Sequence, residues 1–276
     1  VLSIDAPEGA IDTCGTGGDA KGTYNVSTAV AFIVAACGVP VAKHGNRSAS
    51  GKVGSADVLE GLGLNLKAPL KTVVDAIAAT GVTFLFAPAW HPALVNLAPL
   101  RRSLGVRTVF NLLGPLVNPL RPQAQVLGVA RPDLLDPMAG ALQQLGVDRS
   151  IVVHGAGGLD EASLAGDNDL RLIEGGQIVE RSLKPEDLGL SSAPLESLLG
   201  GDLTVNQSIL ETVLRGRGSV AQRDAVALNT ALVLWSSGLE TDLRQAAGQA
   251  VAALDAGLPW QNLAALREAL AGGDGE

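Results

Sequence analysis

Short apolar runs alternate with helically spaced apolar positions through the first half of the chain. Runs of strand length cover residues 10–14, 39–43, 82–87, 124–129 and 150–154. Each is bounded by Gly or Pro, and most are apolar almost throughout. Near-continuous apolar runs suit strands buried on both faces, whereas a sheet with one wet face alternates. Helical spacing fills the gaps at 27–37, 55–62, 69–80, 91–104 and 132–145. The pattern predicts an α/β fold with a mostly parallel central sheet flanked by helices. Residues 169–173 and 177–181 flank Gly175-Gly176 and read as a hairpin on that sheet. Beyond residue 205 the spacing is helical at 205–214, 220–236, 240–256 and 260–270, giving a helical C-terminal part. With no repeat and no linker, residues 1–276 read as one α/β domain.

The polar clusters fall at the strand ends. Residues 15–19, 43–50, 88–91 and 155–161 each follow a predicted strand. Ligands of open α/β sheets bind outside the carboxyl ends of the strands. Four chemically loaded loops are therefore expected along one edge.

Composition narrows the class. Apolar residues make up 47% of the 276 and charged residues 17%, which fits a globular chain with a full core. No apolar run is long enough to span a membrane, and no secretory leader is visible at the start. Two cysteines without a CxxC pair point to a reducing, cytoplasmic setting. The net charge of −8 opposes general nucleic-acid binding. The charge is uneven: residues 1–107 hold nine Lys and Arg against seven Asp and Glu, so the cations gather near the glycine turns. That is either surface variation or a local anion site in an acidic protein.

The stretch 14–62 carries the densest signal. GTGGD follows the first strand and leads through Thr23, Asn25, Ser27 and Thr28 to an apolar helix. A hydroxyl there is first an N-cap, but a helix N-terminus with free N–H groups also receives anions. KHGNRSASGKVGSADVLE follows the second strand, with cations at Lys43, His44 and Arg47 and hydroxyls at Ser48, Ser50 and Ser55. The set suits a phosphorylated sugar. Asp160-Glu161 in a glycine-rich loop is either a solvated turn or a pair of hard oxygen ligands for Mg²⁺ beside substrate phosphates. Arg101, Arg102 and Arg107 answer a helix dipole or hold a carboxylate. His44 and His91 have no metal-ligand spacing, and neither is assigned as a general base.

Taken together, the motifs resemble the anthranilate phosphoribosyltransferases. The matching runs are GTGGD at 15–19, TYNVST at 23–28, KHGNRSASGKVGSADVLE at 43–60, HPALVNLAPLRRSLGVRTVFNLLGPLVNP at 91–119 and GLDE at 158–161, with a weaker match at AQRDAVALNTAL. The resemblance implies a fold shared with pyrimidine nucleoside phosphorylases, and transfer of a phosphoribosyl group from phosphoribosyl pyrophosphate to anthranilate. It further implies that Gly15, Gly18 and Asp19 touch substrate, Gly15 both of them. Thr23, Asn25, Val26, Ser27 and Thr28 would line the pyrophosphate site. Lys43, His44, Gly45, Asn46, Arg47, Ser48, Ala49, Ser50, Gly51 and Ser55 would hold the phosphoribosyl part. Asn46 and Arg101 would hold anthranilate, and Ser27, Asp160 and Glu161 would bind Mg²⁺. Family members form homodimers through a small helical domain.

The sequence departs from the family in three places. Leu94-Val95 stands where the family often has Met-Lys, and Tyr24 replaces a usual Phe. The family has helices before the first strand, whereas this sequence starts almost at that strand. Either the sequence is a fragment or the small domain is reduced to a remnant, against which residues 88–107 would pack. Two other readings remain: a nucleoside phosphorylase of the same fold, opposed by HPALVN and NLLGPLVNP, and a non-enzymatic nucleic-acid binder, opposed by the charge and the Asp-Glu pair.

Overall fold

The computed structural model describes residues 6–48, 53–96 and 109–271. Seven strands form one sheet: β1 (Ile11–Gly15), β2 (Val41–Gly45), β3 (Val82–Phe86), β4 (Ala124–Gly128), β5 (Arg149–His154), β6 (Asn168–Glu174) and β7 (Gln177–Leu183). Their spatial order is β3-β2-β1-β4-β5-β6-β7. The first five are parallel, and the hairpin β6–β7 extends the sheet antiparallel. The chain moves from β1 outward to β2 and β3, then returns to the other side of β1 for β4 and β5. The switch point lies between β1 and β4, where open α/β sheets place their ligands.

Alternation along the buried strands divides the core. Leu127, Val152 and Ile173 face the helix Leu135–Gln144, whose Met138 and Leu142 close a small cluster. Val126, Ile151 and Val153 face the larger cluster on the other side. That cluster is built on α1 (Val26–Ala36) and the helix Val220–Ser237. Almost every residue of α1 is buried, so its apolar surface runs all round and it packs between sheet and C-terminal helices. The remaining helices that matter for the site are α2 (Ser55–Gly61) and α3 (Leu70–Thr80), on either side of a turn before β3.

Three expectations from sequence shift. β2 begins and ends two residues later than the apolar run, because its register with β3 continues to Gly45 opposite Phe86. Lys43 and His44 therefore lie on a strand and not in a turn. The helix expected from residue 91 starts at Pro92 and is described to Asn96, and a separate short helix, Ala87–Trp90, precedes it across His91, which has φ −125 and ψ 61. The following Pro92 disfavours the α region at His91. Residues 132–134 form a separate 3₁₀ turn ahead of the helix at 135–144.

Two buried asparagines anchor the segment after β5. Asn229 Oδ1 accepts from Ala162 N at 2.9 Å, while its Nδ2 donates to Ala162 O at 2.8 Å and Ala225 O at 2.9 Å. Asn168 Oδ1 accepts from Ser163 N at 2.6 Å, and its Nδ2 donates to Ser163 O and Leu183 O at 3.0 Å. Asn229→Ala leaves buried backbone groups of Ala162 unpaired. We expect it to lower unfolding free energy by about 2–4 kcal/mol in urea titrations, against near-zero change for the exposed Lys71→Ala.

Candidate active site

Loop 16–25 leaves β1 with Gly17, Gly18, Ala20 and Gly22 all at positive φ, between +57 and +80. Residues of this kind turn successive backbone N–H groups into an anion-binding concavity. Ala20 carries a Cβ in that conformation, and Asp19 Oδ1 steadies it by accepting from Lys21 N at 3.1 Å. Thr23 bridges to Leu199, and Tyr24 N donates to Leu198 O at 3.0 Å, which ties the loop to the C-terminal half.

Helix α1 then starts at Val26. Asn25 stands at its N-cap without a side-chain cap, its Nδ2 donating instead to Val53 O at 3.2 Å. Neither Ser27 nor Thr28 is the cap residue. The Ser27 N–H is taken by Glu161 Oε1 at 2.9 Å, a carboxylate from a loop 134 residues away. Thr28 is fully buried and its hydroxyl has no partner, so of the two hydroxyls Ser27 is the one at the cleft.

The loop after β5 lies directly on the ends of β1 and β4. A Cβ on Gly128 would stand 1.7 Å from the Asp160 carbonyl oxygen, and one on Gly15 would stand 2.1 Å from Asp160 Oδ2. The Asp-Glu pair is thus pressed into the switch point. Asp160 Oδ2 accepts from Gly17 N at 2.6 Å. Both residues keep some surface open to the cleft, yet burial raises both carboxyls well above the ordinary range. The neighbouring charges of Asp19 on Asp160, and of Asp160 on Glu161, raise them further.

These oxygens suit a hard divalent cation. Asp160 and Glu161 are neighbours and Glu161 reaches Ser27 through its N–H, and a cation would relieve the repulsion between the carboxylates that Lys43 and the N–H groups only partly offset. Among the described residues no group of three or more His, Cys, Asp or Glu forms a ready cage. Mg²⁺ seldom uses one, because substrate phosphates and water complete its shell.

The turn that follows β2 is folded back onto α2. Ser55 Oγ and Ala56 N both donate to Asn46 O at 3.2 Å, and Asn46 Oδ1 accepts from Arg47 N at 2.7 Å. Gly45 is packed so tightly that a Cβ would meet the Phe84 ring and Ser55 Oγ at 2.5 Å. Arg47 is half-exposed and held by Asp57 at 2.6 Å and Glu60 at 2.8 Å, with Phe86 beneath its guanidinium at 5.5 Å. Ser48 and Ser55 border the cleft, whereas Ala49, Ser50, Gly51 and Arg101 lie outside the described residues.

Lys43 is not a surface cation. It is 3% exposed, and its Nζ donates to Thr13 O at 2.8 Å and Ser27 Oγ at 3.4 Å. It places a positive charge under the start of α1. His44 lies edge-on to His91, ring centroids 5.1 Å apart, and its Nδ1 meets Gly114 O at 3.1 Å. Burial and the His91 ring push His44 down to about 4, so the imidazole is neutral at physiological pH. Both Nε2 atoms are buried without partners.

Sequence reading assigned no role to Asp12 or Asn118, yet both are buried beside this site. Asp12 Oδ1 accepts from His44 N at 3.1 Å and its Oδ2 from Asn118 Nδ2 at 2.9 Å. The available signal was a carboxylate inside an otherwise apolar strand run, Ile11-Asp12-Thr13.

A glycine loop and a carboxylate pair thus meet at the β1–β4 switch point, and a second loop follows the neighbouring β2, tied to the first by Asn25 Nδ2 on Val53 O. The glycosyl transferase family, a/b domain, matches residues 7–259. The anthranilate phosphoribosyltransferase of Parasynechococcus marenigrum (strain WH8102) is 76% identical over 95% of this chain and 75% of its own length. That of Synechococcus sp. (strain CC9902) is 72% identical over 100% of this chain and 79% of its own length. This chain belongs to the anthranilate phosphoribosyltransferase family. Solved members share the fold. The Thermus thermophilus enzyme superposes with a TM-score of 0.92 at 44% identity, covering 97% of this chain and 80% of that one. The Saccharomyces cerevisiae enzyme, solved in complex with phosphoribosyl pyrophosphate and Mg, gives 0.89 at 27% identity over 97% and 76%.

The raised carboxyls set a pH dependence opposite to the usual acid denaturation. In the folded protein Asp160 and Glu161 hold protons to a higher pH than in the unfolded chain. The folded state therefore binds more protons between the two ranges, and stability falls as pH rises. Without metal, the melting temperature is expected to be lower at about pH 8.5 than at about pH 6, with Mg²⁺ narrowing the gap. A melting temperature that rises over this interval would remove the carboxylate strain.

Proposed function

We infer that this chain transfers the 5-phosphoribosyl group of phosphoribosyl pyrophosphate to anthranilate, yielding N-(5-phosphoribosyl)-anthranilate and pyrophosphate in tryptophan biosynthesis. The observation that carries the reading is the meeting of the first phosphate-type loop and the Asp160–Glu161 pair at the β1–β4 switch point, with the second such loop on neighbouring β2. The family membership fixes the reaction class.

The reaction makes one bond and breaks one. The lone pair of the anthranilate amine forms the new C1–N bond while the C1–O bond to pyrophosphate breaks. Pyrophosphate leaves with that electron pair, and the nitrogen releases a proton to water. A neutral aromatic amine needs no strong general base, consistent with a His44 that is neutral and held by a carbonyl. Catalysis then rests on orientation and on neutralising the leaving group.

In this reading the residues divide by role, as the family resemblance implies. Gly15, Gly18 and Asp19 present the first loop to both substrates. Thr23, Asn25, Val26, Ser27 and Thr28 bring the N-terminus of α1 to the pyrophosphate. Lys43, His44, Gly45, Asn46, Arg47, Ser48, Ala49, Ser50, Gly51 and Ser55 surround the phosphoribosyl group. Asn46 and Arg101 take anthranilate, Arg101 by its carboxylate. Ser27, Asp160 and Glu161 hold Mg²⁺, which supplies charge neutralisation on the departing pyrophosphate. In this reading residues 88–107 meet the small helical domain of the family. The working form is a cytoplasmic homodimer. Among the described residues no helix is long and apolar enough to cross a membrane.

Loss of anthranilate fluorescence on adding phosphoribosyl pyrophosphate and Mg²⁺ tests the reaction directly, with thymidine as the phosphorylase control. Turnover of thymidine with phosphate, and none of anthranilate, would overturn the reading. Two variants test the roles. Asp160→Asn combined with Glu161→Gln should abolish most metal-dependent turnover while anthranilate affinity stays within about threefold. Arg101→Ala should raise the anthranilate KM roughly ten- to hundredfold, the loss of a charge-assisted pair, with a smaller effect from Arg102→Ala. A larger effect at Arg102 would reassign the carboxylate partner.

A further inference from the structure

Neighbouring parallel strands ordinarily share a continuous ladder, and β1 does so with β4 from Ile11 to Gly15. On its other side the register of β1 with β2 is a single pair, Ile11 with Val41. Beyond it, side chains satisfy the backbone groups that a ladder would use. The His44 N–H goes to Asp12 Oδ1 at 3.1 Å, and the Ala42 carbonyl accepts from Asn118 Nδ2 at 2.8 Å. The Thr13 carbonyl accepts from Lys43 Nζ at 2.8 Å. Asp12 and Asn118 are joined to each other at 2.9 Å, and Asn118 Oδ1 is fixed by Leu120 N at 3.0 Å. Asp12 is fully buried, so its carboxylate is no substrate ligand. A buried carboxylate costs several kcal/mol to desolvate, and hydrophobic packing with a plain ladder would stabilise the sheet at lower cost. The arrangement keeps the carboxyl ends of β1 and β2 unladdered, and from those two ends spring the first and second loops.

We propose that Asp12, together with Asn118, is a positioning residue pair that sets the spacing between the two substrate loops by standing in for the β1–β2 ladder. This inference rests on the functional reading above, in which pyrophosphate meets the first loop and the phosphoribosyl group meets the second. The pair acts on any ligand that spans both loops. A ligand confined to the first loop does not sense the spacing.

Two probes separate these cases: phosphoribosyl pyrophosphate with Mg²⁺, which spans both loops, and inorganic pyrophosphate with Mg²⁺, which does not. In Asp12→Asn one oxygen acceptor replaces two, so either His44 N or Asn118 Nδ2 loses its partner. In Asn118→Ala the carboxylate remains, but all three hydrogen bonds of the Asn118 side chain, to Asp12, Ala42 O and Leu120 N, are gone. Titration calorimetry on folded protein, checked by circular dichroism and a single melting transition, should show the same split in both variants. Affinity for phosphoribosyl pyrophosphate falls about tenfold or more, since sub-ångström to 1 Å displacement costs rates and affinities of that order, while pyrophosphate affinity stays within about twofold. Equal loss for both probes would reduce the pair to general structural support and overturn the proposal. So would an effect in Asp12→Asn with none in Asn118→Ala, which would assign the effect to charge. If Asp12→Asn does not fold, Asn118→Ala carries the same comparison. Wild-type protein that binds neither probe would instead refute the functional reading. The spacer is then judged by hydrogen exchange at the His44 amide, faster in Asn118→Ala if the pair holds that N–H and unchanged if it does not.

Discussion

The architecture of the site depends on one close approach. The loop carrying Asp160 and Glu161 lies on the carboxyl ends of β1 and β4 at a distance that leaves no room for a Cβ on Gly15 or Gly128. A sheet edge is normally left to solvent or to a ligand. Here the chain occupies it with two carboxylates that accept from the N–H groups of Gly17 and Ser27, while Asn229 and Asn168 fix the backbone of Ala162 and Ser163 just after them. Those N–H groups offset part of the desolvation cost and cannot cancel the repulsion between neighbouring acids. The strain is local, and a cation bound there would relieve it.

That constraint explains the balance of charge around the site. Lys43 is the one cation among the described residues that is fully buried, and it faces Asp12 and Glu161. Under the proposed function, a site with two raised carboxyls beside one buried lysine favours a polyphosphate that comes with a divalent metal. The basic turn seen in sequence does not contradict this, because Arg47 is neutralised by Asp57 and Glu60 on α2. Exposed pairs of this kind are weak, so they hold the guanidinium near the cleft without preventing its exchange onto a phosphate.

Much of this was legible from the chain. Apolar runs bounded by Gly and Pro located all five parallel strands, and the rule that ligands gather at their carboxyl ends located the site. What escaped had a common cause: side chains acting across long sequence separations. Glu161 caps α1 in place of Ser27 or Thr28, and no local spacing encodes a cap 134 residues away. Two residues of register placed Lys43 and His44 on β2, because pairing with β3 extended the strand past its apolar run. Asp12 was visible as an acid in a buried strand, but its partners, His44 N and Asn118, depend on how β1 meets β2.

The two loops that face the substrate are built on different physical grounds. The first is shaped by its backbone, left-handed at Gly17, Gly18, Ala20 and Gly22, with Asp160 and Asp19 accepting from the N–H groups of Gly17 and Lys21. Such a surface is fixed once the chain is folded and loses little conformational entropy when a phosphate arrives. The second uses side chains borne on a turn that is folded onto α2 through Asn46 and Ser55. Its contacts are exchangeable. A rigid backbone cradle suits the leaving pyrophosphate, whose charge develops in the transition state and is best met by groups already in place. An adjustable clasp suits the ribosyl part, which must move toward the amine as the bond to oxygen lengthens. The sheet ends of β1 and β2, joined by one backbone pair and a buried polar network, are where the rigid part and the adjustable part are held in register.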